Sequence, residues 1–324
     1  MIRKEKLIWM DGQMVEWDDA KVHVLSHTLH YGYGAFEGIR SYKHDDGRSA
    51  VFRLPEHVDR LFQSSHLLEL GLPFSREEVN SACVGTLAAN GLAAGYIRPL
   101  VYLGQGEVGV YPGDEPDIHL AIATWKWGAY LGAEALKAGI RVKVSSYTKF
   151  HVNSVLIKGK VVGHYVNSVL AKMEAKREGY SEGILLDHQG YVAEGSGENL
   201  FIVRGKTILT PDDASTILGG ITRDSVITLA TDMGYDLEKT RLTRNDLYTA
   251  DEVFFTGTAA EITPIREIDR RTVGEGRPGP VALDLQRAFF DVVAGRNRAY
   301  DHWMTYYSVD DDALTASTVT ATAS

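Results

Sequence analysis

One lysine and an acidic, glycine-rich segment downstream of it are the residues best suited to chemistry. Lys160 lies in the segment KGKVVGHYVNS, and Glu194 opens the run EGSGEN. A lysine amine can add to a carbonyl carbon to form an imine, and once freed it can move a proton. A carboxylate can stabilise a cationic nitrogen on a bound molecule. Taken alone, however, Lys160 also fits a solvated surface lysine, and EGSGEN also fits a plain turn.

Two arginines and a glycine pair offer sites for anions. Arg98 lies in the apolar segment GYIRPLVYL, and a buried arginine needs an anion, which can be a structural carboxylate or a substrate. Arg60 lies among apolar residues on a predicted helix and matters for chemistry only if a phosphate is close. A glycine pair precedes Ile221 and Thr222, and we expect Thr222 to cap the next helix. Such a helix start suits a phosphate, although similar loops often only cap a helix.

The composition is that of a globular protein with a substantial core. The chain has 324 residues, 44% hydrophobic and 24% charged, which suits two domains or one large one. Its net charge of −9 and the lack of a long basic run argue against nucleic acid as a partner. Because Cys83 is the only cysteine, no intrachain disulfide or cysteine-based zinc site can form, and we predict no metal. No signal peptide or membrane span is recognisable, so we expect a cytoplasmic protein.

The elements that must position these side chains begin with short strands and two helices. Asp11 and Gly12 between apolar runs predict a β-hairpin. The run HTLHYGYGAFEGIRSY, residues 27–42, mixes glycine with aromatic residues and predicts a bend that lies close to other backbone or to a ligand. Apolar residues at helical spacing predict amphipathic helices over residues 56–70 and 77–90.

An aromatic segment separates the two halves of the chain. The run WKWGAYLG, residues 125–132, does not continue a strand, and a different pattern follows it. Beyond it, helices over 165–178 and 280–293 flank a β-rich region of short strands and turns. The predicted division is 1–124 for a small N-terminal α/β domain, 125–137 for an interdomain loop, 138–308 for a larger C-terminal domain and 309–324 for a flexible tail.

Taken together, these segments resemble the fold-type IV pyridoxal-phosphate aminotransferases, and in particular the bacterial branched-chain amino-acid aminotransferases. The resemblance covers about residues 6–296, and its blocks lie in family order: HYGYGAFEGIR, EHVDRL, YIRPL, WGAYLGAEAL, GKVVGHYVNS, GYVAEGSGENLF, GGITRD, GTAAEITP and VGEGRPGP. It implies an α+β, α/β two-domain fold like that of D-amino-acid aminotransferase, whose β-rich C-terminal domain binds pyridoxal 5′-phosphate.

The resemblance also implies roles for residues around this cofactor. Lys160 matches the lysine that joins the cofactor covalently, with Lys158 as the competing choice, and Glu194 matches the acid that keeps the pyridine nitrogen protonated. Tyr165 matches the tyrosine near the phenolic oxygen. The residues that match the phosphate-binding cup are Arg60, Gly220, Ile221, Thr222, Gly257 and Thr258.

Further matches concern the substrate. The groups expected to hold the α-carboxylate are Tyr96, Thr258 and Ala259, with support from Arg40. Arg98 matches the arginine that receives the distal carboxylate of glutamate. The apolar wall matches Phe36, Gly38 and Trp127, with Tyr130 in the adjacent interdomain loop. Tyr31 and Val110 match residues that enter from a neighbouring subunit, which implies a homodimer or a higher homo-oligomer.

The implied reaction moves the amino group of L-leucine, L-isoleucine or L-valine to 2-oxoglutarate in a ping-pong cycle. His164 departs from the family pattern, because asparagine is frequent at that position, and this blurs the substrate range. The alternatives are a D-amino-acid or (R)-amine transaminase, a broad-range variant or an aminodeoxychorismate lyase, all of the same fold. A silent pyridoxal-phosphate-binding protein and a dinucleotide-binding oxidoreductase are weaker alternatives, since GSGENL is not G-x-G-x-x-G.

Overall fold

The fold consists of two β-sheets with helices packed against them. The computed structural model describes residues 3–107, 109–128 and 131–309. The predicted α+β architecture with two domains and a high β content is confirmed. The boundaries assigned to the domains remain predictions, and residues 310–324 of the predicted flexible tail lie outside the described ranges.

The first sheet is antiparallel and is formed mainly by the N-terminal part of the chain. Its strands are β1 (Leu7–Met10), β2 (Gln13–Glu16), β3 (Gly34–Phe36), β4 (Ile39–Lys43), β5 (Ser49–Phe52), β6 (Gly95–Leu103) and β7 (Ile118–Trp125). The helices of this part are α1 (His27–Tyr31), α2 (Leu54–Leu67) and α3 (Arg76–Ala89). The strand order is β5-β4-β6-β7-β1-β2, and β3 also pairs with β6.

The second sheet is mixed and contains nine strands. They are β8 (Ile140–Thr148), β9 (Glu182–Leu186), β10 (Val192–Gly195), β11 (Asn199–Arg204), β12 (Thr207–Thr210), β13 (Asp236–Lys239), β14 (Glu252–Gly257), β15 (Glu261–Ile268) and β16 (Arg271–Thr272). The helices are α4 (Ala133–Ala138), α5 (Tyr165–Arg177), α6 (Ile221–Asp232), α7 (Arg244–Tyr248) and α8 (Pro280–Val293). The strand order is β10-β9-β8-β15-β14-β11-β12-β13, and β16 pairs with β15.

The end of the described chain returns to the first sheet. Strand β17 (Met304–Tyr307) pairs antiparallel with β5, whereas the sequence-based division places residues 304–307 with the C-terminal domain. The physical reason is a set of side-chain contacts. The ring of Trp303 lies 5.8 Å from that of Phe52, and the Tyr307 hydroxyl donates to the carbonyl of Leu92 at 2.7 Å.

Local sequence signals explain most of these elements. The hairpin predicted at Asp11 and Gly12 is confirmed, and both residues adopt positive φ (47° and 93°), as a tight two-residue hairpin turn requires. The N-cap of α6 is Gly220 rather than Thr222, so that prediction was wrong. A side chain is excluded at this cap, because a Cβ on Gly220 would lie 1.8 Å from Oδ1 of Asn199.

Three clusters of buried apolar side chains hold the layers together. In the first, Leu61 of α2 and Leu87 of α3 pack on Ile97 and Leu120 of the first sheet. The second cluster is formed mainly by side chains of the second sheet. The third lies between that sheet and helices α6 and α8. Among the described residues, no helix is long and apolar enough to span a bilayer, and no cluster of three or more acidic, histidine or cysteine side chains is arranged to bind a metal ion.

The start of α8 is held by a buried carboxylate on β14, the strand that leads into the candidate site. Both oxygens of Glu252 accept hydrogen bonds from backbone amides, those of Val281 (3.0 Å) and Ala282 (2.8 Å). Pro280 occupies the first turn, so these two amides are the first that need a partner outside the helix.

We therefore expect Glu252→Ala to lower the free energy of unfolding by about 2 kcal/mol, because two buried amides lose their acceptors. Chemical denaturation measures this change. Glu238→Ala, on the exposed face of β13, is the matched control and should leave the midpoint unchanged. Equal midpoints for both variants would show that the Glu252 carboxylate does not stabilise this helix.

Candidate active site

The backbone around Lys160 is held by the first sheet. The Lys160 carbonyl accepts a hydrogen bond from the amide of Phe36 at the end of β3 (3.1 Å), and Val161 forms an isolated bridge with Ala35. The Lys160 amide donates to the hydroxyl of Ser64 on α2 (2.9 Å). Because its backbone groups are paired on both sides, the lysine side chain extends from a fixed base.

The environment of the Lys160 amine shifts its protonation equilibrium toward the neutral form. Its Nζ lies 2.6 Å from the Tyr165 hydroxyl. The same atom lies 4.8 Å from the ring centroid of Phe36 and 4.9 Å from that of Tyr165. Burial is the main reason why the pKa of this amine is lowered to about 8; Glu37 opposes the shift and Arg60 adds to it. A lysine with such a pKa can act as a nucleophile and as a base near neutral pH.

The neighbouring Lys158 is bound to backbone carbonyls. Its Nζ donates to the carbonyls of Asp213 (2.7 Å), Ser215 (3.0 Å) and Ile217 (3.1 Å), and so joins two loops. Of the two lysines, Lys160 lines the cleft and Lys158 does not. The geometry therefore supports the choice of Lys160.

Glu194, on β10, places a buried carboxylate in the same cleft. Its Oε2 accepts hydrogen bonds from the Asn199 side chain (3.1 Å) and from the Leu218 amide (3.0 Å). Its Oε1 accepts from Nζ of Lys149 at 2.6 Å. Three donors from three different segments orient this carboxylate.

Lys149 is a site residue that the sequence analysis did not identify. It directly follows β8, its side chain is 14% exposed, and it lines the cleft. Only the pairing of β8 with β9 and of β9 with β10 brings it to Glu194. The segment SYTKFH around it contains no recognisable motif, so no local signal could have revealed it.

An anion-binding surface lies on another side of the cleft. Gly220, Ile221 and Thr222 line the cleft at the start of α6, where the first amides of a helix have no partner within the helix. Arg60 also lines it, and its NH1 donates to the Gly219 carbonyl at 2.8 Å. The donors suit a phosphate group, because they combine a guanidinium with amides at the positive end of a helix dipole.

The turn after β14 and a tyrosine from the first sheet form a further edge of the cleft. Strand β14 ends at Gly257 and is followed by Thr258 and Ala259. All three line the cleft together with Tyr96. The Tyr96 hydroxyl occupies the space next to Gly38. A Cβ at this position would lie 1.9 Å from the hydroxyl oxygen, so a larger residue does not fit. Tyr96, Thr258 and Ala259, which were predicted together as the α-carboxylate group, all line the cleft.

Arg98 lies in an aromatic enclosure beside this edge. Its guanidinium carbon is 4.9 Å from the Phe36 ring centroid, 5.6 Å from that of Tyr96 and 5.8 Å from that of Trp125. Its Nε is buried and has no hydrogen-bond partner among the residues that the structure describes. A guanidinium with rings around it and an unused donor is suited to an anionic ligand.

Arg40 and Trp127 connect this edge to the interdomain segment. Arg40 donates to the carbonyls of Ala259 (3.5 Å) and Trp127 (3.4 Å), and it lies 3.6 Å from a carboxylate oxygen of Glu261. The Trp127 ring is 4.4 Å from that of Tyr96. Arg40 therefore supports the turn that carries Ala259.

Six predicted site residues that the structure describes do not line the cleft itself: Phe36, Arg40, Arg98 and Trp127, which contact residues that do, and Tyr31 and Val110. Tyr31 and Val110 are 48% and 82% exposed, and neither lines the cleft. Their predicted entry into a neighbouring subunit's pocket remains a prediction. Tyr130 lies outside the described ranges.

The fold and the sequence are similar to those of known proteins. The profile of the family described as amino-transferase class IV matches residues 34–268. The branched-chain-amino-acid aminotransferase of Pseudomonas aeruginosa is 48% identical over 94% of this chain and 98% of its own length. The crystal structure of the Escherichia coli branched-chain amino acid aminotransferase superposes with a TM-score of 0.92 at 45% identity, covering 95% of this chain and all (100%) of the other.

A third similar protein was solved with a ligand. It is a branched-chain amino acid aminotransferase from the organism abbreviated T.th., complexed with N-(5′-phosphopyridoxyl)-L-glutamate. Its TM-score is 0.88 at 47% identity, over 94% of this chain and 99% of the other. Because the profile spans more than half of the sequence and these relatives match almost all of it, the chain belongs to the amino-transferase class IV family.

Proposed function

We propose that this protein is a pyridoxal-phosphate-dependent aminotransferase that moves the amino group of L-leucine, L-isoleucine or L-valine to 2-oxoglutarate. One observation carries the proposal. The Lys160 amine, the Glu194 carboxylate and the anion-binding surface of Arg60 and α6 line one cleft. Relatives that are 45–48% identical over nearly the whole chain bear the name of this activity.

The residues present fit the cofactor. Arg60, the hydroxyls of Thr222 and Thr258 and the amides from Gly220 to Thr222 would hold its phosphate, and Gly257 would lie beside it. Glu194 would face the ring nitrogen, because a carboxylate stabilises a cationic nitrogen, and Tyr165 would lie near the phenolic oxygen. When bound, the cofactor supplies the electron sink that labilises the Cα–H bond of an amino acid.

Lys160 carries the protein's part of the proton transfer. Its amine, with a pKa of about 8, is neutral in a larger fraction of molecules near neutral pH than the amine of an ordinary lysine, so it can hold the cofactor covalently. When its amine is free, Lys160 would act as the general base that takes the proton from the substrate Cα onto Nζ. Tyr165 restrains the amine through their 2.6 Å contact.

The site suits two substrates of different polarity. Phe36, Tyr165 and Trp127 offer apolar surface to a branched side chain, while Tyr96, Thr258 and Ala259 would bind the α-carboxylate. Arg98 would bind the second carboxylate of glutamate or 2-oxoglutarate. Because rings surround this arginine, the wall stays apolar when an aliphatic side chain occupies the site.

The quaternary structure and the location belong to the same proposal. Exposure of the large apolar side chains of Tyr31 and Val110 supports an assembly in which a second subunit covers them, at least a homodimer. Nucleic acid and membrane are not proposed as partners. A cytoplasmic location is consistent with the single cysteine, Cys83, which is buried.

The reaction is tested by single half-reactions with three amino donors. We expect L-leucine to convert the cofactor absorbance of the purified enzyme rapidly, and D-alanine and (R)-1-phenylethylamine to do so at least about a hundredfold more slowly, because the carboxylate-binding edge and the apolar wall favour one hand of an amino acid. A preference for the D-amino acid would overturn the branched-chain assignment. Conversion by none of the donors would indicate a silent cofactor-binding protein.

The role of Lys160 is tested by a matched pair of variants. We expect Lys160→Ala to lose the visible absorbance of covalently held cofactor and Lys158→Ala to retain it, since the Lys158 amine binds carbonyls. Borohydride reduction followed by peptide mass spectrometry locates the modified lysine. The reverse pattern would assign the chemistry to Lys158.

The role of Arg98 is tested by comparing two acceptors. For Arg98→Ala we expect kcat/KM to fall about tenfold or more further with 2-oxoglutarate than with 4-methyl-2-oxopentanoate, because only the former has a second carboxylate that loses a charged partner. The aliphatic acceptor serves as the internal control. Equal losses with both acceptors would mean that Arg98 is structural.

A further inference from the structure

Glu37 is a buried carboxylate that the assigned roles do not use. It lies between β3 and β4, its side chain is 0% exposed, and its amide donates to the Pro99 carbonyl (2.9 Å). Its two oxygens accept hydrogen bonds from Nε (2.6 Å) and NH2 (2.9 Å) of Arg60. Oε2 also accepts from Nδ1 of His57 at 2.8 Å, and His57 is itself buried.

The charge states of this cluster follow from its contacts. Burial alone would raise the pKa of the Glu37 carboxyl, but the charge of Arg60 and the hydrogen bonds from Arg60 and His57 outweigh it, so that pKa lies well below its usual range. Burial lowers the pKa of His57, so we take this imidazole as neutral. Since an ionised carboxylate only accepts hydrogen bonds, His57 must carry its proton on Nδ1.

The contacts fix the orientation of Arg60. A bidentate pair with Glu37 holds the plane of the guanidinium, and NH1 donates to the Gly219 carbonyl beside α6. The donors that remain belong to NH1 and NH2, at the cleft that Arg60 lines. Glu37 thus determines which edge of the guanidinium faces the anion-binding surface.

The orienting effect of Glu37 on Arg60 and the negative charge of Glu37 have opposite effects on phosphate binding. By Coulomb's law alone, the negative charge of Glu37 weakens the attraction of Arg60 for a phosphate dianion. A buried ion pair is also weak evidence for a contribution to stability. We propose that Glu37, supported by His57, is a positioning residue. It holds Arg60 in the orientation in which the site binds the phosphorylated cofactor more tightly than the same molecule without phosphate. This inference rests on the proposed function.

The experiment compares two ligands that differ only in the phosphate. Apoenzyme is titrated with pyridoxal 5′-phosphate and with pyridoxal, and the dissociation constant of pyridoxal divided by that of pyridoxal 5′-phosphate measures the contribution of the phosphate. We expect Glu37→Gln to weaken binding of pyridoxal 5′-phosphate about tenfold or more while pyridoxal binds as in the wild type. An unchanged or larger ratio would overturn the proposal, because charge would then outweigh orientation.

Further variants separate positioning from folding. Glu37→Asp keeps the negative charge but shortens the reach, so it should lose most of the phosphate discrimination even where Glu37→Gln does not fold. His57→Asn keeps a donor near the position of Nδ1 and should retain the ratio better than His57→Leu. Glu56→Gln removes a carboxylate of helix α2 that pairs with the N-cap residue Arg53. This variant should leave the dissociation constants of both ligands unchanged.

The outcomes distinguish this inference from the proposed function. If wild-type apoenzyme binds neither ligand, the cofactor assignment fails. If the wild type prefers the phosphorylated ligand and Glu37→Asp shows the same preference, the cofactor assignment stands and Glu37 has no positioning role. Equal weakening of both ligands in the Glu37 variants would also overturn the proposal, because general damage to the site does not depend on phosphate.

Discussion

The crowding of positive charge in one cleft is the constraint on which the rest of the site depends. The side chains of Lys149, Lys160, Arg60 and Arg98 lie in or beside this cleft, although the chain as a whole has a net charge of −9. Burial and the nearby cations make a protonated Lys160 unfavourable, which is the condition for a lysine to act as a nucleophile. The same cations attract ligands that carry phosphate and carboxylate groups.

Two buried carboxylates distribute this charge. Glu37 engages Arg60, and Glu194 engages Lys149, so two of the four cations are already paired. Lys160 has a tyrosine hydroxyl as its partner instead, and Arg98 has aromatic faces. Within the described ranges these two groups have no carboxylate partner, and they are the two proposed to interact with the reacting atoms and with a substrate carboxylate. Pairing with a carboxylate thus distinguishes Lys149 and Arg60, of which Arg60 would hold the phosphate, from the two cations proposed to act on the substrate.

The short segment from Phe36 to Gly38 links these features. Its first residue binds the backbone of Lys160 and offers its ring to Arg98. Glu37 holds Arg60, and Gly38 leaves the space that the Tyr96 hydroxyl fills. One extended stretch can serve three purposes because successive side chains of extended backbone point in different directions. The second sheet supplies Glu194 and the start of α6, so the cleft needs both sheets.

The sequence by itself predicted several of the elements and many of the residues that line the cleft. Turn residues, helical spacing and ordered motifs predicted the hairpin at Asp11, helix α8 and the grouping of Lys160 with Glu194, because such signals are local or lie in a recognisable order. It could not reveal Lys149, the cap at Gly220 or the return of β17 to the first sheet. These depend on contacts between segments that are distant along the chain, and only the tertiary structure decides which cation lies against which carboxylate.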